Sequence, residues 1–264
     1  MNVPVPPSMT GRLTPVKTAL RLGVVTWIHA VRIGIRSSTL TTVTTEPLPL
    51  GPRPPQQARS RAALRKVLAS AEHVLVTGGL DNFTMAAVAE HAGVSIGAVY
   101  RRFDGKEQLL DAVKDRMLTH LENQLAEAVG NAAERDIAAV IAAYTVTLAA
   151  GFADNSQAIP LLIQRTGSES VERARQSLDT MEDLFVKAAS AHLGEIRHHD
   201  PGLALVITAR TIVAACIHRT ATLSWWPDIS WESWQAEITA MGIRYLTVPG
   251  QSVYSGWPAI APGQ

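Results

Sequence analysis

Residues 84–109 read TMAAVAEHAGVSIGAVYRRFDGKEQL, and this stretch predicts two short helices joined by a tight turn. Thr84 and Ser95 are good N-cap residue types, and each directly precedes a short apolar-periodic run. Gly93 lies between the runs and permits the left-handed backbone conformation that such a turn requires. Val99 and Phe103 are four residues apart, so we expect both on the buried face of the second helix.

The outer face of that second helix suggests a function. With its two anchors turned inward, Ile96, Gly97, Tyr100 and Arg101 are expected to face solvent. Two short helices with a glycine turn and cationic flanks are the arrangement by which a helix-turn-helix enters the major groove of DNA. Gly97 costs a helix about 1 kcal/mol relative to alanine, and a close approach of the backbone to DNA would explain its presence.

The spacing of these residues resembles the DNA-binding domain of the tetracycline-repressor (TetR) family. The shared pattern is T-x3-[VI]-A-x2-A-G-V-S-x-G-x-[VLI]-Y-x2-F-x2-K-x2-L, and the similarity covers roughly residues 59–121. The resemblance implies an all-helical homodimer that regulates transcription, most often as a repressor. It further implies a small-molecule pocket in each C-terminal domain and a dimer interface formed by the last two long helices.

The resemblance also assigns roles in DNA binding to residues at matching positions. Thr84 stands at a cap that touches phosphate, and residues 95–97 occupy the start of the base-reading helix. Tyr100 and Lys106 stand where the family has a phosphate-bonding tyrosine and lysine. The predicted DNA-binding residues are Thr84, Ser95, Ile96, Gly97, Tyr100, Arg101, Arg102 and Lys106.

Three positions depart from the common pattern of the family. Ala98 replaces a frequent threonine and removes one hydroxyl contact, whereas Arg102 replaces a frequent histidine or aromatic residue and adds charge. Gly105 replaces a frequent serine cap. None of the three changes is expected to break the fold.

Helical periodicity extends along the rest of the chain, and weak alternation with only 5% aromatic residues favours an all-α protein. A first helix is predicted over residues 57–76, ended by Gly78 and Gly79. Further helices are expected over residues 85–91, 96–102, from 106 onward, 133–152, 159–165, 168–192, 201–225 and 230–246. Asp104 or Gly105 is expected to cap the long helix, with Glu107 close to a capping-box position.

The 264 residues suffice for a small DNA-reading domain and a larger second domain. Residues 1–110 carry 13 Lys and Arg against 6 Asp and Glu, a net charge of +7, whereas residues 111–264 carry 11 against 17, a net of −6. This asymmetry suggests that only the first part meets a polyanion. The predicted divisions are an extension and linker (1–55), a helix-turn-helix domain (56–105), an effector-binding and dimerisation domain (106–247) and a disordered tail (248–264).

Residues 1–55 differ in character from the rest of the chain. No acidic residue precedes Glu46, and an apolar stripe would run from Leu20 to Ile35 if this part were helical. Residues 47–55, PLPLGPRPP, predict an extended linker. Three interpretations stay open: a flexible arm, an amphipathic helix that binds a surface, or codons upstream of a misassigned start.

Cysteine use and hydropathy favour a cytoplasmic protein with no membrane partner. Cys216 is the single cysteine, which excludes an internal disulfide and fits a reducing compartment. The longest uncharged stretch, residues 137–153, is shorter than the ~20 residues that a spanning helix needs. A buried core helix is the better interpretation of that stretch.

The motifs of catalysis and metal binding are missing from the sequence, so we expect a regulator rather than an enzyme, without cofactor or metal. His198, His199 and Asp200 are adjacent and lack the spacing of helical metal ligands. The expected partners are double-stranded operator DNA, a second copy of the chain and an apolar small-molecule effector. Candidate residues for the effector pocket are Tyr144, Phe152, Leu162, Phe185, Trp225 and Trp226.

Two functions of other classes stay open at this point. The chain could be a helical enzyme or small-molecule-binding protein whose helix-turn-helix no longer contacts DNA. It could also be a membrane-associated regulator that uses residues 1–36 as an interfacial helix.

Overall fold

The computed structural model describes residues 55–163, 167–225 and 228–249, and all regular structure within them is helical. The helices are α1 (Pro55–Asn82), α2 (Met85–Ala92), α3 (Ile96–Tyr100), α4 (Lys106–Ala132), α5 (Ile137–Asp154), α6 (Ile159–Ile163), α7 (Ser168–Ala189), α8 (Pro201–Ala221) and α9 (Trp231–Thr247), with 3-10 turns at Ser190–Glu195 and Leu223–Trp225. The predicted all-α fold is confirmed. Nearly all of the predicted extension (1–55) and tail (248–264) lies outside the described residues.

Several predicted helix bounds need correction. The helix expected from residue 133 begins at Ile137, because Asp136 caps it by accepting a hydrogen bond from the N–H of Ala139 at 2.6 Å. The helix expected to reach residue 192 leaves α geometry after Ala189 and continues as a 3-10 turn. The first helix is interrupted where glycine predicted its end, at Gly79 with φ 65°.

The N-terminal domain is organised around one apolar core. The buried residues of this core come from α1 to α4, from α6 and from the segments next to them: Val67, Ala71, Leu75, Phe83, Met85, Val88, Ala89, Ala92, Val99, Phe103, Leu109, Leu110, Val113, Ala158 and Leu162. The first turns of α4 therefore belong to the same core as the helix-turn-helix. The packing does not divide at the predicted boundary between residues 105 and 106, because α4 runs through both domains.

The C-terminal domain packs α4, α5, α7, α8 and α9 against one another. Its largest fully buried side chains include Tyr144 on α5, Phe185 on α7 and Leu205 on α8. Helices α5 and α8 are long and apolar enough to cross a membrane, but 50% and 44% of the residues in those windows are buried within the protein. Burial on this scale is what a central helix of a helical bundle shows.

Polar contacts join α7 to α4 just beyond the N-terminal core. The buried Lys114 ammonium donates to the carbonyl and hydroxyl oxygens of Ser170, at 2.7 and 2.8 Å. Arg173 pairs with the carboxylates of Asp115 and Glu122, at 2.5 and 2.8 Å. These hydrogen bonds and ion pairs join the first half of α7 to the middle of α4.

Candidate DNA interface

The turn between α2 and α3 has the predicted geometry. Gly93 has φ 60° and ψ 40°, which is the left-handed region, and its N–H closes the end of α2. Thr84 caps α2 by accepting from the N–H of Ala87 at 3.0 Å. Ser95 caps α3 by accepting from the N–H of Ala98 at 3.2 Å. Local backbone chemistry therefore fixes where each short helix begins.

Helix α3 is anchored by one face and exposes the other. Val99 and Phe103 are buried in the N-terminal core, as their spacing predicts. Ile96 and Tyr100 leave 47% and 51% of their surface exposed, and Gly97 beside them is exposed as well. Within the described part of the chain nothing covers this face, so it is open to a duplex.

The environment of Gly97 bears on why a glycine stands within α3. A Cβ added there would meet only the Arg101 guanidinium within 4 Å, at 4.0 Å. Packing inside the protein therefore gives no reason for a glycine at this position. The close approach of another surface, such as DNA, would explain why position 97 is a glycine.

The two arginines after α3 differ in their contacts. Arg101 is exposed beside the outer face of α3. Arg102 is half-buried, and its guanidinium donates to the carbonyl of Ala98 at 3.0 Å. Arg102 thus helps to close the C-terminal end of α3 in addition to any contact with phosphate.

Lys106 has an internal role that the sequence did not indicate. Its ammonium donates to the carbonyl of Leu80 at 2.8 Å and lies 5.9 Å from the centre of the Phe83 ring. The contact joins the start of α4 to the end of α1, just beyond the break at Gly79, across 26 residues of sequence. Phosphate binding by Lys106 stays a prediction. A phosphate would have to bind to the ammonium N–H groups that do not donate to Leu80.

The cap of α4 is one of the two predicted residues. Gly105 is the N-cap residue and provides no side-chain hydrogen bond. The backbone N–H of Asp104 donates to the side-chain oxygen of Gln108 at 2.7 Å. Gln108, rather than Glu107, is therefore the residue that reaches back, because it stands at the third helical position.

Lys66 is a candidate interface residue that the sequence analysis missed. It lies on α1, it is exposed, and its ammonium would be 3.5 Å from a Cβ added at Gly93. A cation therefore lies directly over the turn of the helix-turn-helix. Helical periodicity places Lys66 on the polar face of the first helix and says nothing more. It cannot show that Lys66 lies over Gly93, which is 27 residues away along the chain.

The candidate effector residues are only partly brought together. Tyr144 and Phe185 are buried and in contact, with ring centroids 4.7 Å apart, and Phe152 is buried further along α5. Leu162 belongs to the core of the N-terminal domain, and Trp225 leaves 67% of its surface exposed. Trp226 lies outside the described residues. The pocket thus stays a prediction, with Tyr144 and Phe185 as its best-placed pair.

Tyr144 and Cys216 are buried titratable groups of this region. Among the described residues, the Tyr144 hydroxyl has no hydrogen-bond partner, and burial raises its pKa, with smaller contributions from Cys216 and Glu182. Burial raises the pKa of the Cys216 thiol to about 12. The thiol is therefore protonated at neutral pH and is a poor nucleophile.

The histidine loop before α8 has a structural explanation. Asp200 caps α8 by accepting from the N–H of Leu203 at 3.0 Å, and the His198 ring bonds to the backbone of Asp200. Among the described residues, no group of three or more histidine, cysteine or acidic side chains is arranged to hold a metal ion.

The sequence matches a known family of regulators over the segment just described. Residues 67–113 match the family of bacterial regulatory proteins named the tetR family. No curated protein shows significant sequence similarity to the chain.

Solved structures of bacterial regulators share the fold over most of the chain. A transcriptional regulator from Rhodococcus sp. Rha1 is 17% identical with a TM-score of 0.53, over 69% of this chain and 94% of its own. A tetR-family regulatory protein from Rhodococcus RHA1 is 16% identical with a TM-score of 0.51, over 70% and 96%. FadR of Bacillus subtilis, solved with stearoyl-CoA, is 16% identical with a TM-score of 0.52, over 69% and 99%. At these identities the similarity shows the fold.

Proposed function

We propose, on the premise that this chain is a DNA-binding transcriptional regulator of the TetR family, that it is a repressor released from its operator by a small molecule. Two copies would place their α3 helices in successive major grooves of a palindromic operator, about 34–36 Å apart. Residues 56–105 with the start of α4 would read DNA, and the remaining helices to residue 247 would bind the effector and the second copy.

The exposed outer face of α3 is the observation on which DNA binding depends. Ile96, Gly97 and Tyr100 are presented by a helix whose opposite face is locked into the core. Lys66 and Arg101 supply positive charge beside them. Phosphate contacts from such cations position a protein on DNA, and the apolar and backbone groups of α3 would contact base edges.

Exposed apolar side chains on α8 and α9 support the homodimer. Leu203 and Ile207 on α8 are 51% and 44% exposed, and Met241 and Tyr245 on α9 are 62% and 41% exposed. The start of α8 lies beside the end of α9, since the His198 and Tyr245 rings are 5.4 Å apart. The four side chains are therefore near the same end of this helix pair, and a second copy is the proposed cover.

Effector control would act through the attachment of α7 to α4. A ligand beside Tyr144 and Phe185 would push on α5 and α7. The bonds of Lys114 and Arg173 would carry a displacement of α7 into α4, whose first turns lie in the DNA-binding core. A change in the separation of the two α3 helices would then lower operator affinity. FadR of Bacillus subtilis, which shares the fold, was solved with stearoyl-CoA, and this supports a small-molecule effector.

The test of DNA binding uses full-length protein and palindromic fragments from the region upstream of its own gene. Specific binding should weaken steeply with salt, because each neutralised phosphate contributes about 0.9 to the slope of log K against log salt. A chain that binds small molecules alone would bind the specific and scrambled fragments equally weakly. That result would reject the proposed function in favour of a helical binding protein.

Tyr100→Phe tests the orientation of α3 on the duplex. The variant keeps the ring and removes only the hydroxyl, which is expected to weaken binding to all DNA sequences by about tenfold if it bonds to phosphate. Thermal stability should not change, because Tyr100 is half exposed. Val146→Ala, at a 45% exposed position on α5 outside the proposed dimer interface, is the control and should leave DNA affinity unchanged.

A further inference from the structure

The guanidinium of Arg219 is buried under two indoles near the end of α8. Arg219 is only 3% exposed. Its Cζ atom lies 4.9 Å from the centre of the Trp231 ring and 5.5 Å from that of Trp234. Both tryptophans are themselves partly exposed, so a single layer of indole side chains separates the guanidinium from solvent.

The hydrogen bonds of this guanidinium are incomplete. One nitrogen, Nη2, donates to the carbonyl of Ile229, but Nε and Nη1 are fully buried and have no hydrogen-bond partner among the residues that the structure describes. Arginine carries five N–H donors, and unpaired buried donors are costly. Burial also lowers the pKa of Arg219, which is the direction expected of a cation without a counter-charge.

Arg219 also has no acidic partner within the described part of the chain. Arg173 and Arg210, by contrast, are both paired with carboxylates. Asp228 and Glu232 are close in sequence to the cover, but both are exposed and form no ion pair with Arg219. The indoles and the C-terminal carbonyls of α8 offset part of the cost of burying this charge. An unpaired buried ion still destabilises the folded chain.

The start of α9 adds a second preference for an anion at the same place. Arg219 bonds to the carbonyl of Ile229, immediately before the N-cap Ser230. A 17-residue helix has its positive end there, so a cation beside it is unfavourable unless negative charge lies close by. Glu232 in the first turn of α9 supplies part of that negative charge, so the incompletely bonded guanidinium is the stronger reason for an anion under the indoles.

We propose that Arg219, Trp231 and Trp234 form a binding site for a small organic carboxylate with an apolar or aromatic body. One guanidinium neutralises a monoanion, and the indole walls favour an apolar body over a hydrated phosphate. The chain's own indoles cover Arg219, which favours a small molecule over a carboxylate presented on a partner surface. The inference goes beyond the proposed function and stands whether or not the ligand controls DNA affinity.

The experiment measures the thermal unfolding of the full-length protein in carboxylate-free buffer with added benzoate or octanoate. At least one of these anions should raise Tm in a saturable way, because it binds only the folded state. Benzamide and octanamide, which lack the charge, should give no shift. Arg219→Met should lose the response, whereas Arg244→Met, at an exposed arginine on α9, should keep it.

A second readout separates a ligand site from a purely structural cation. Without added anion, Arg219→Met should be at least as stable as the wild-type protein, since it removes an uncompensated buried charge. If that variant does not fold, Arg219→Lys serves instead, and it should bind benzoate or octanoate about tenfold more weakly by calorimetry.

Several results would overturn the proposal. They are the absence of any shift with both anions, an equal shift with the amides, or an equal response in wild type and Arg219 variants. If the change in Tm caused by Arg219→Met depended on protein concentration and not on added anion, the missing anion would belong to a second copy. This result would also reject a small-molecule site.

Discussion

At the scale of single residues, the candidate interface consists of residues that contribute little to packing within the protein. Ile96 and Tyr100 are large and exposed, although burying them would have stabilised the folded chain. Gly97 weakens α3 without relieving any internal contact. Ile96 and Tyr100 therefore add little to the stability of the free protein and Gly97 lowers it, and binding to DNA would explain why these residues are there.

Replacing Gly97 with alanine should therefore stabilise the free protein and weaken operator binding. Removal of the glycine should add about 1 kcal/mol to the free energy of unfolding, since an alanine at this helical position is unstrained. The new methyl group would face the duplex and should lower operator affinity about tenfold. Urea unfolding and DNA titration measure the two effects.

Gly130→Ala is the matched control for this variant. Gly130 is an exposed helical glycine on α4 with no atom within 4 Å of an added Cβ. It should give a similar gain in stability with unchanged DNA affinity. Unchanged operator affinity in Gly97→Ala would show that the backbone of α3 does not approach DNA.

Cys216 gives a prediction that depends on burial alone. Because burial raises its pKa to about 12, the thiol stays protonated below that pH, and the reactive thiolate is scarce. Native protein should therefore react with a thiol reagent at about pH 8 far more slowly than urea-unfolded protein. Fast stoichiometric labelling of the native state would instead point to a redox-sensitive site.

At the scale of elements, short helices depend on their ends more than on their length. Helix α3 has only five residues, so its cap and the glycine before it contribute a large share of its stability. Helix α4 is long, but its cap lacks a side-chain bond, and Lys106 ties its start to Leu80 instead. Each end is fixed by a different local interaction.

The left-handed turn at Gly93 can be tested by two substitutions. Gly93→Ala should destabilise the protein by about 1–2 kcal/mol, because a Cβ is disfavoured at φ 60°. Gly93→Asn should cost less, since asparagine tolerates this region better. The cost is conformational rather than steric, as an added Cβ meets only the Lys66 ammonium at 3.5 Å. Equal costs for both variants would contradict a backbone origin.

At the scale of the whole molecule, the two halves differ in charge and in surface character. Net positive charge is confined to residues 1–110, while apolar side chains are exposed near one end of the α8 and α9 pair. The α3 face is not covered by the acidic half within the described residues. In the proposed function, the exposed α3 face would meet DNA, and the apolar side chains of α8 and α9 would meet a second copy.

Met241→Glu should separate the two copies. A carboxylate at this 62% exposed position would have to be buried without a partner in the proposed dimer. Sedimentation should show a shift from dimer to monomer, with the helical circular dichroism retained. Operator affinity should fall because the two DNA-binding domains are no longer linked. Val146→Glu is the control, since Val146 is 45% exposed on α5, outside the proposed interface. A dimer that survives Met241→Glu would place the interface elsewhere.

The sequence by itself determined what local chemistry controls. Caps at Thr84 and Ser95, the turn at Gly93 and the anchors Val99 and Phe103 were predictable because they act within a few residues along the chain. The all-α class followed from periodicity, for the same reason.

Tertiary structure alone decided which residues distant in sequence meet. It placed Lys66 over the turn, bonded Lys106 to Leu80, put Leu162 in the DNA-binding core and enclosed Arg219 without a counter-charge. Helical patterns give the face on which a residue lies, but not the helix that packs against that face. Pairings across 26 or more residues depend on how whole helices cross, which no local pattern specifies.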